Sequence, residues 1–385
     1  MNNSLGRRLS IGGGDYFTVK QNFNTFFMTT TENLTINRIL NAVAERKATD
    51  VHFVVGNNPI IRINGQLTDL ADEEVINPEF LESLINFFAG EDKLEILKKK
   101  KEIKFAFNWL DKARFRVYIF KQKGYYSISL KLVPQQVRSL EEIGLAKAVA
   151  GFCRSKRGLI FVSGPFNSGR SSTMSAMIDF INKNIGGRIL SFEEPIEQIF
   201  INQKSMIEQR EVGQDVDSFS QGLASIKDED VDVVAVSKVD SIESLELILE
   251  LAESGRLVMA MVDYDSAISC LEGLISDFPQ SKKQWAQDVI ADYLVSIIVQ
   301  RLVPTVQGGM VLAVEILIGS SSVKSLIKEG RYGNVESIIQ TSRAEGMISL
   351  DYSLAELVRT GKIAQAEAIK QAVKPQVLMA SLKKQ

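Results

Sequence analysis

Cysteine is scarce in this chain. Only Cys153 and Cys270 occur, too few for a disulfide framework or a zinc knuckle, which points to a reducing compartment, the cytoplasm. Histidine is scarcer still. His52 is the only one, so no histidine-based metal cluster and no Ser-His triad can be assembled, and His52 itself is expected to pack or hydrogen-bond on its strand. Charge bias of one sign is also absent. The formal net charge of -2 removes any global electrostatic reason for nucleic acid or an anionic membrane as the main partner. With no basic groove signal, Trp109, Trp285 and the phenylalanines read as core rather than as base-stacking platforms. Long hydrophobic runs are missing too. Stretches such as Leu159 to Val162 and Leu294 to Val299 fall far short of the roughly 20 residues that cross a bilayer, so no membrane insertion is expected.

What is present is an ordinary globular composition, 45% hydrophobic and 24% charged over 385 residues, long enough for two compact units plus tails. Residues 1–33 read as a mobile N-terminal tail: Arg7 and Arg8 are not followed by an apolar signal region, and Gly12, Gly13 and Gly14 interrupt the segment. Residues 34–135 read as a small α+β unit. A helix is expected over Ile36 to Arg46, and strands over Val51 to Val55, Ile60 to Ile63, Lys104 to Asn108, Ala113 to Phe120 and Tyr125 to Leu132. Asn64-Gly65 and Lys123-Gly124 are the turn signals between strands. The run Lys98 to Lys101 reads as a solvated helix end.

The polar segment Pro134 to Ser139 marks a linker, followed by an expected helix over Leu140 to Arg154. Residues 136–372 then alternate strand and helix: Gly158 to Ser163, a glycine loop, Arg170 to Asn184, Gly187 to Phe192, Asp232 to Val236, Ser241 to Ser254 and Leu257 to Val262. That order predicts a mostly parallel sheet with flanking helices. From Ser281 to Ala372 the pattern reads mainly helical, and residues 373–385, with Lys383-Lys384, read as a second tail.

The segment Gly164-Pro165-Phe166-Asn167-Ser168-Gly169-Arg170-Ser171-Ser172 lies between an expected strand and an expected helix, the setting of a phosphate loop. In the Walker A pattern G-x-x-x-x-G-K-[ST], backbone N–H groups curl round a phosphate, the lysine reaches the outer phosphates and the hydroxyl holds Mg²⁺. Gly164, Gly169 and Ser171 fit, whereas Arg170 stands at the lysine position. Asn167 tolerates positive φ better than most residues, so the curl is expected to survive it. Arginine is planar and bulkier than an ammonium, so weakened nucleotide binding is expected.

From about Leu34 to Ala372 the chain resembles the PilT/PilU-like retraction ATPases of type IV pili, within the secretion ATPase superfamily. In the first unit the resemblance rests on Ala48-Thr49-Asp50-Val51-His52, Pro59-Ile60-Ile61-Arg62-Ile63-Asn64-Gly65 and Arg114-Phe115-Arg116-Val117. In the second it rests on Phe192-Glu193-Glu194-Pro195-Ile196-Glu197, which is similar to the Asp box, on Gln209-Arg210-Glu211-Val212-Gly213, on Val323-Lys324-Ser325-Leu326-Ile327-Lys328 and on Met347-Ile348-Ser349-Leu350-Asp351. The resemblance implies an α/β protein with a PAS-like α+β N-terminal domain followed by a RecA-like P-loop ATPase domain. It further implies ATP and Mg²⁺ as cofactors and a six-membered ring, homomeric or shared with an active paralogue. That ring would be cytoplasmic, peripheral to the inner membrane through a pilus platform protein.

The departures fall where chemistry would occur. Lys238 stands where the Walker B strand of the family ends in a glutamate, and a cation cannot take a proton from water; losing a general base typically costs about 10²- to 10⁴-fold. Asp263 stands at the histidine of the His box, Ala224 and Asp228 replace two arginines before the Walker B strand, and Gly124 replaces another. Arg114 and Arg116 remain as arginines able to act across a subunit interface. Lys238 and Asp263 are expected to pair with each other, with Glu193 or Glu194 as the other partners open to Lys238. Glu193, Glu194 and Glu197 are placed by the resemblance near Mg²⁺ and water. Two functions follow: a pseudo-ATPase ring subunit of scaffold or regulatory role, or an active retraction motor in which Glu193 or Glu194 serves as base. Nucleic-acid translocation would rest on fold analogy alone.

Overall fold

The computed structural model describes residues 29–383 except 47, 64, 111–112 and 134–135. Most of the expected N-terminal tail, Asn64 of the first turn, Pro134 of the linker and Lys384 lie outside the described residues.

Helix α1 (Thr30–Glu45) starts at a capping box, Thr29 accepting from the Glu32 amide while the Glu32 carboxylate accepts from the Thr29 amide. Its buried residues Ile36, Ile39, Leu40 and Val43 repeat at helical spacing, so one face enters the core. Strands β1 (Asp50–Val54), β2 (Ile60–Ile63) and β3 (Gln66–Asp69) follow. Next comes α2 (Pro78–Lys100), capped by Asn77 and broken at Gly90, whose φ is +66°. Strands β4 (Glu102–Trp109), β5 (Ala113–Gln122) and β6 (Tyr125–Val133) complete an antiparallel sheet in the order β3-β2-β1-β6-β5-β4. Sequence reasoning read only the end of α2 at Lys98 to Lys101, although Leu81, Leu84, Ile85 and Phe88 repeat at helical spacing, and it missed β3, whose residues are all exposed. Trp109 is buried as expected, and Lys98, Lys99 and Lys100 are exposed at the end of α2. His52 lies opposite Ser129 and shares a 3.1 Å hydrogen bond with its hydroxyl, the role expected of it.

The second sheet begins after α3 (Ala146–Phe152). The longer helix expected from Leu140 is a correction: 140–144 form turns, and Gly144 at φ +82° interrupts the helical path. In chain order come β7 (Gly158–Ser163), α4 (Arg170–Asn184), β8 (Gly187–Glu193), β9 (Ser205–Glu211), α5 (Phe219–Ser225), β10 (Val233–Val236), α6 (Ile242–Glu253) and β11 (Leu257–Val262). Then follow α7 (Ala267–Ser276), α8 (Gln280–Tyr293), β12 (Leu294–Pro304) and β13 (Met310–Ile318). The strand order is β13-β12-β7-β11-β10-β8-β9, parallel throughout except for the β12–β13 hairpin. Every residue of β7 and β10 is buried, as expected of central parallel strands.

The mainly helical reading after Ser281 is corrected by this hairpin. Leu294 to Val299 is a short apolar run directly after a helix, and periodicity alone does not separate a buried strand from a buried helix. Helices α9 (Ser321–Lys328), α10 (Val335–Thr341), α11 (Leu350–Arg359), α12 (Gln365–Gln371) and α13 (Pro375–Lys383) close the described chain. Residues expected as a tail are docked: Leu378 is buried, and the Asp351 carboxylate accepts from the amides of Val373 and Lys374.

Candidate functional site

The loop from Gly164 to Gly169 connects the end of β7 to the start of α4. Gly164 has φ +142° and Gly169 φ +90°, and Asn167 takes φ +63°, so the curl survives with an asparagine at 167. A Cβ at Gly164 would stand 2.4 Å from the Gln300 carbonyl oxygen, which explains why only glycine fits there. Pro165, Phe166 and Asn167 are exposed, Phe166 at 84%, while Ser168 is buried and its hydroxyl has no hydrogen-bond partner among the described residues. Ser171 and Ser172 sit in the first turn of α4, where helix N–H groups have no intrahelical acceptor and the dipole favours an anion.

Gln300 of β12, fully buried, braces this loop from beneath. Its Nε2 donates to the Ser168 carbonyl at 2.8 Å and its Oε1 accepts from the Thr173 hydroxyl at 2.9 Å. Sequence reasoning missed Gln300; the one signal is a lone amide inside an apolar strand, which must find partners when buried.

Arg170 does not point freely into the loop. Its Nη1 donates to the Val262 carbonyl at 2.5 Å and pairs with the Asp263 carboxylate. The expected pairing of Asp263 with Lys238 is therefore corrected: among the described residues no ion pair joins them, and each takes another partner. Lys238 Nζ lies 3.5 Å from Glu194 Oε2, one of the alternatives open to it. The turn that carries Asp263 is itself fixed, since the Ser163 hydroxyl donates to the Tyr264 carbonyl at 2.7 Å and accepts from the Tyr264 amide at 3.0 Å.

Glu193 ends β8. Its Oε1 accepts from the Ser191 hydroxyl at 2.8 Å and from Gln209 Nε2 at 3.0 Å. Burial pushes its carboxyl up from the ordinary range, partly offset by the hydrogen bonds from Gln209 and Ser191. The Glu194 amide donates to the Ser237 hydroxyl at 3.2 Å and the Ser237 amide donates to the Phe192 carbonyl at 2.9 Å, so the ends of β8 and β10 are joined by backbone as well as by charge.

Arg114 and Arg116, on β5, meet this region within the same chain. Arg114 Nη2 donates to the Ile196 carbonyl at 2.6 Å and its Nη1 to Asn108 at 2.6 Å; Arg116 Nη1 donates to Glu197 at 2.9 Å. Burial lowers the affinity of the Arg114 guanidinium for its proton, countered by Glu211, Glu193 and Glu197. Lys131 on β6, the residue opposite Arg116, reaches the exposed Asn167 side chain at 3.4 Å. The first sheet thus brings a cation to the phosphate loop that sequence reasoning had not singled out.

Ala224 and Asp228 are exposed at the end of α5 and in the turn after it. Gly124 sits at φ +89° in the β5–β6 turn, a conformation arginine rarely adopts. Among the described residues no group of three or more His, Cys, Asp or Glu is arranged to hold a metal ion, and no helix is long and apolar enough to cross a membrane.

Residues 29–381 match the family described as Type II/IV secretion system protein. The chain is 31% identical over 341 residues to the type IV pilus retraction ATPase PilT of Pseudomonas aeruginosa, covering 89% of this chain and 99% of that protein. It is 28% identical over 333 residues to the type IV pilus ATPase PilU of the same organism, covering 86% of this chain and 87% of PilU. Among solved structures, a crystal structure of the pilus retraction motor PilT with bound ADP superposes with a TM-score of 0.81 at 31% identity, over 90% of this chain and 99% of that one.

Proposed function

We propose, from the premise that this chain belongs to the Type II/IV secretion system protein family in its PilT/PilU-like pilus retraction branch, that it is a ring-forming subunit which binds nucleotide weakly and hydrolyses ATP poorly or not at all. The observation that carries this reading is Lys238. At the end of β10, where a general base is required, stands a cation neutralised by Glu194. The loop itself still supports nucleotide: both glycines hold their positive φ, Asn167 keeps the turn, and α4 offers its N-terminus to a phosphate.

ATP with Mg²⁺ is the ligand this frame suits. Residues 164–172 would cradle the phosphates, Ser171 would hold the metal, and the metal would supply charge neutralisation at the outer phosphates. Arg170, Arg114 and Arg116 are the chain's own cations for phosphate charge, and in the conformation described each is already paired within the protein. A subunit of this kind acts beside an active paralogue in a hexameric ring at an inner-membrane pilus platform, as scaffold or regulator.

A second reading is favoured by Glu193. Burial raises its proton affinity toward the range a general base needs, so an active motor with Glu193 as base is the alternative. Phosphate release by the full chain with saturating ATP and Mg²⁺ decides between them, run beside ADP titration. ADP binding without release above the blank is expected, with some turnover gained by Lys238→Glu combined with Arg170→Lys. Turnover in the native chain that Glu193→Ala abolishes would overturn the pseudo-ATPase reading.

A further inference from the structure

Resting on the nucleotide reading of residues 164–172, we propose that Asp263 is a built-in competitor for the phosphate: its carboxylate occupies the Arg170 guanidinium, and nucleotide must displace it to bind. The geometry is specific. Strands β7 and β11 are neighbours in register, with Ser163 opposite Val262, so the loop leaving β7 and the turn leaving β11 emerge side by side. Arg170, at the first position of α4, reaches back across that gap and bonds both the last carbonyl of β11 and the first side chain after it.

Three features make this a ligand-like contact rather than a loose surface pair. The Arg170 side chain is only 16% exposed, so its charge is held near protein and needs a counterion. The Asp263 side chain is 73% exposed, so the displaced carboxylate returns to water at little cost. Ser163 fixes the Tyr264 backbone from both sides, so Asp263 is presented from a rigid turn at the point where the loop begins. A carboxylate and a phosphate oxygen present the same acceptor chemistry to a guanidinium. The Arg170 charge is therefore satisfied internally when no nucleotide is bound, and apparent affinity is reduced by the fraction of molecules in which Arg170 is engaged.

The pairing also relates two departures to each other. An arginine at 170 is long enough to reach the end of β11, and an aspartate at 263 gives it a partner there. An arginine at 170 alone would lack that counterion beside the loop, whereas an aspartate at 263 alone, 73% exposed, would stay in water.

The test is calorimetric titration of the full chain with ADP, comparing the native protein with Asp263→Asn, Asp263→Glu and Asp265→Asn. Release of Arg170 should tighten ADP binding about tenfold in Asp263→Asn. Asp263→Glu, which keeps a carboxylate within reach, should restore weak binding. Asp265→Asn removes a nearby exposed charge that does not touch Arg170 and should leave affinity at the native value, which separates competition from a general change in field. Equal ADP affinity in the native chain and Asp263→Asn would overturn the competition while leaving nucleotide binding intact. Tightening of the same size in Asp265→Asn would also overturn it. Absence of ADP binding in every variant would overturn both this proposal and the nucleotide reading beneath it.

Discussion

Lys238 and Glu194 face each other across 3.5 Å, joining the ends of β10 and β8. Both side chains are about half exposed, at 53% and 43%, so solvent screens the pair and its contribution to stability is expected to be at most about 1 kcal/mol. Lys238→Ala should therefore shift the urea midpoint only slightly. A loss of several kcal/mol would show that the pair is a structural keystone rather than a filled catalytic position.

Replacing Gln300 should have a different signature. Gln300→Leu keeps the volume of the side chain but leaves the Ser168 carbonyl and the Thr173 hydroxyl without their partner, and each unmet buried group costs roughly 1–3 kcal/mol. The expected outcome is a lower melting temperature together with ADP affinity weakened by more than tenfold, since the loop loses its floor. Measured by thermal unfolding and titration, unchanged affinity would show that the loop holds its curl without β12.

Arg114→Ala should loosen the turn that follows β8. The guanidinium satisfies the Ile196 carbonyl and Asn108 at once, and its removal is expected to cost about 2 kcal/mol, as for other buried charge-assisted bonds. Hydrogen exchange at residues 194–197 should accelerate while exchange in β7 and β11 stays slow. Protection unchanged at 194–197 would show that Glu211, which accepts from the Ile196 amide at 3.0 Å, holds the turn by itself.

His52 gives a pH signature to the first sheet. Burial lowers its folded-state pKa below the ordinary 6.5, with Asp50 acting in the opposite sense and Arg62 adding to the lowering. The unfolded chain then binds a proton that the folded chain refuses, so stability is lost as the pH falls from 6.5 through the folded value and is fully present above 6.5. His52→Gln should flatten that part of the stability–pH curve in urea unfolding measured between pH 5 and 7. A curve with the native slope would place the titration elsewhere.

Much of this architecture is written locally in the chain. Strand β7, helix α4 and strand β11 have the bounds their residues predict: β7 is an apolar run between Gly158 and Gly164, α4 lies between Gly169 and Gly186, and β11 is an apolar run between Arg256 and Asp263. The β12–β13 hairpin was not legible, since its first strand continues directly from a helix. The charge pairing was misread for a topological reason. In the order β7-β11-β10-β8, the end of β10 has two neighbours, and so does the end of β11. Lys238 turned outward to Glu194 after β8, and Asp263 turned outward to Arg170 after β7. Sequence names the four charged residues; only strand order combined with the reach of an arginine decides who meets whom. Gln300 was invisible for a similar reason, as it acts from 132 positions away from the carbonyl it holds.

Arg116 and Lys131 are a directly opposed pair on adjacent strands. One grips Glu197 and the other touches Asn167. Residues so placed share one face of the first sheet, so the turn after β8 and the loop after β7 are held from the same pair of strands. The two contacts are the prongs of a single clasp, which sets the position of a cation at the loop by the same strand pair that grips Glu197.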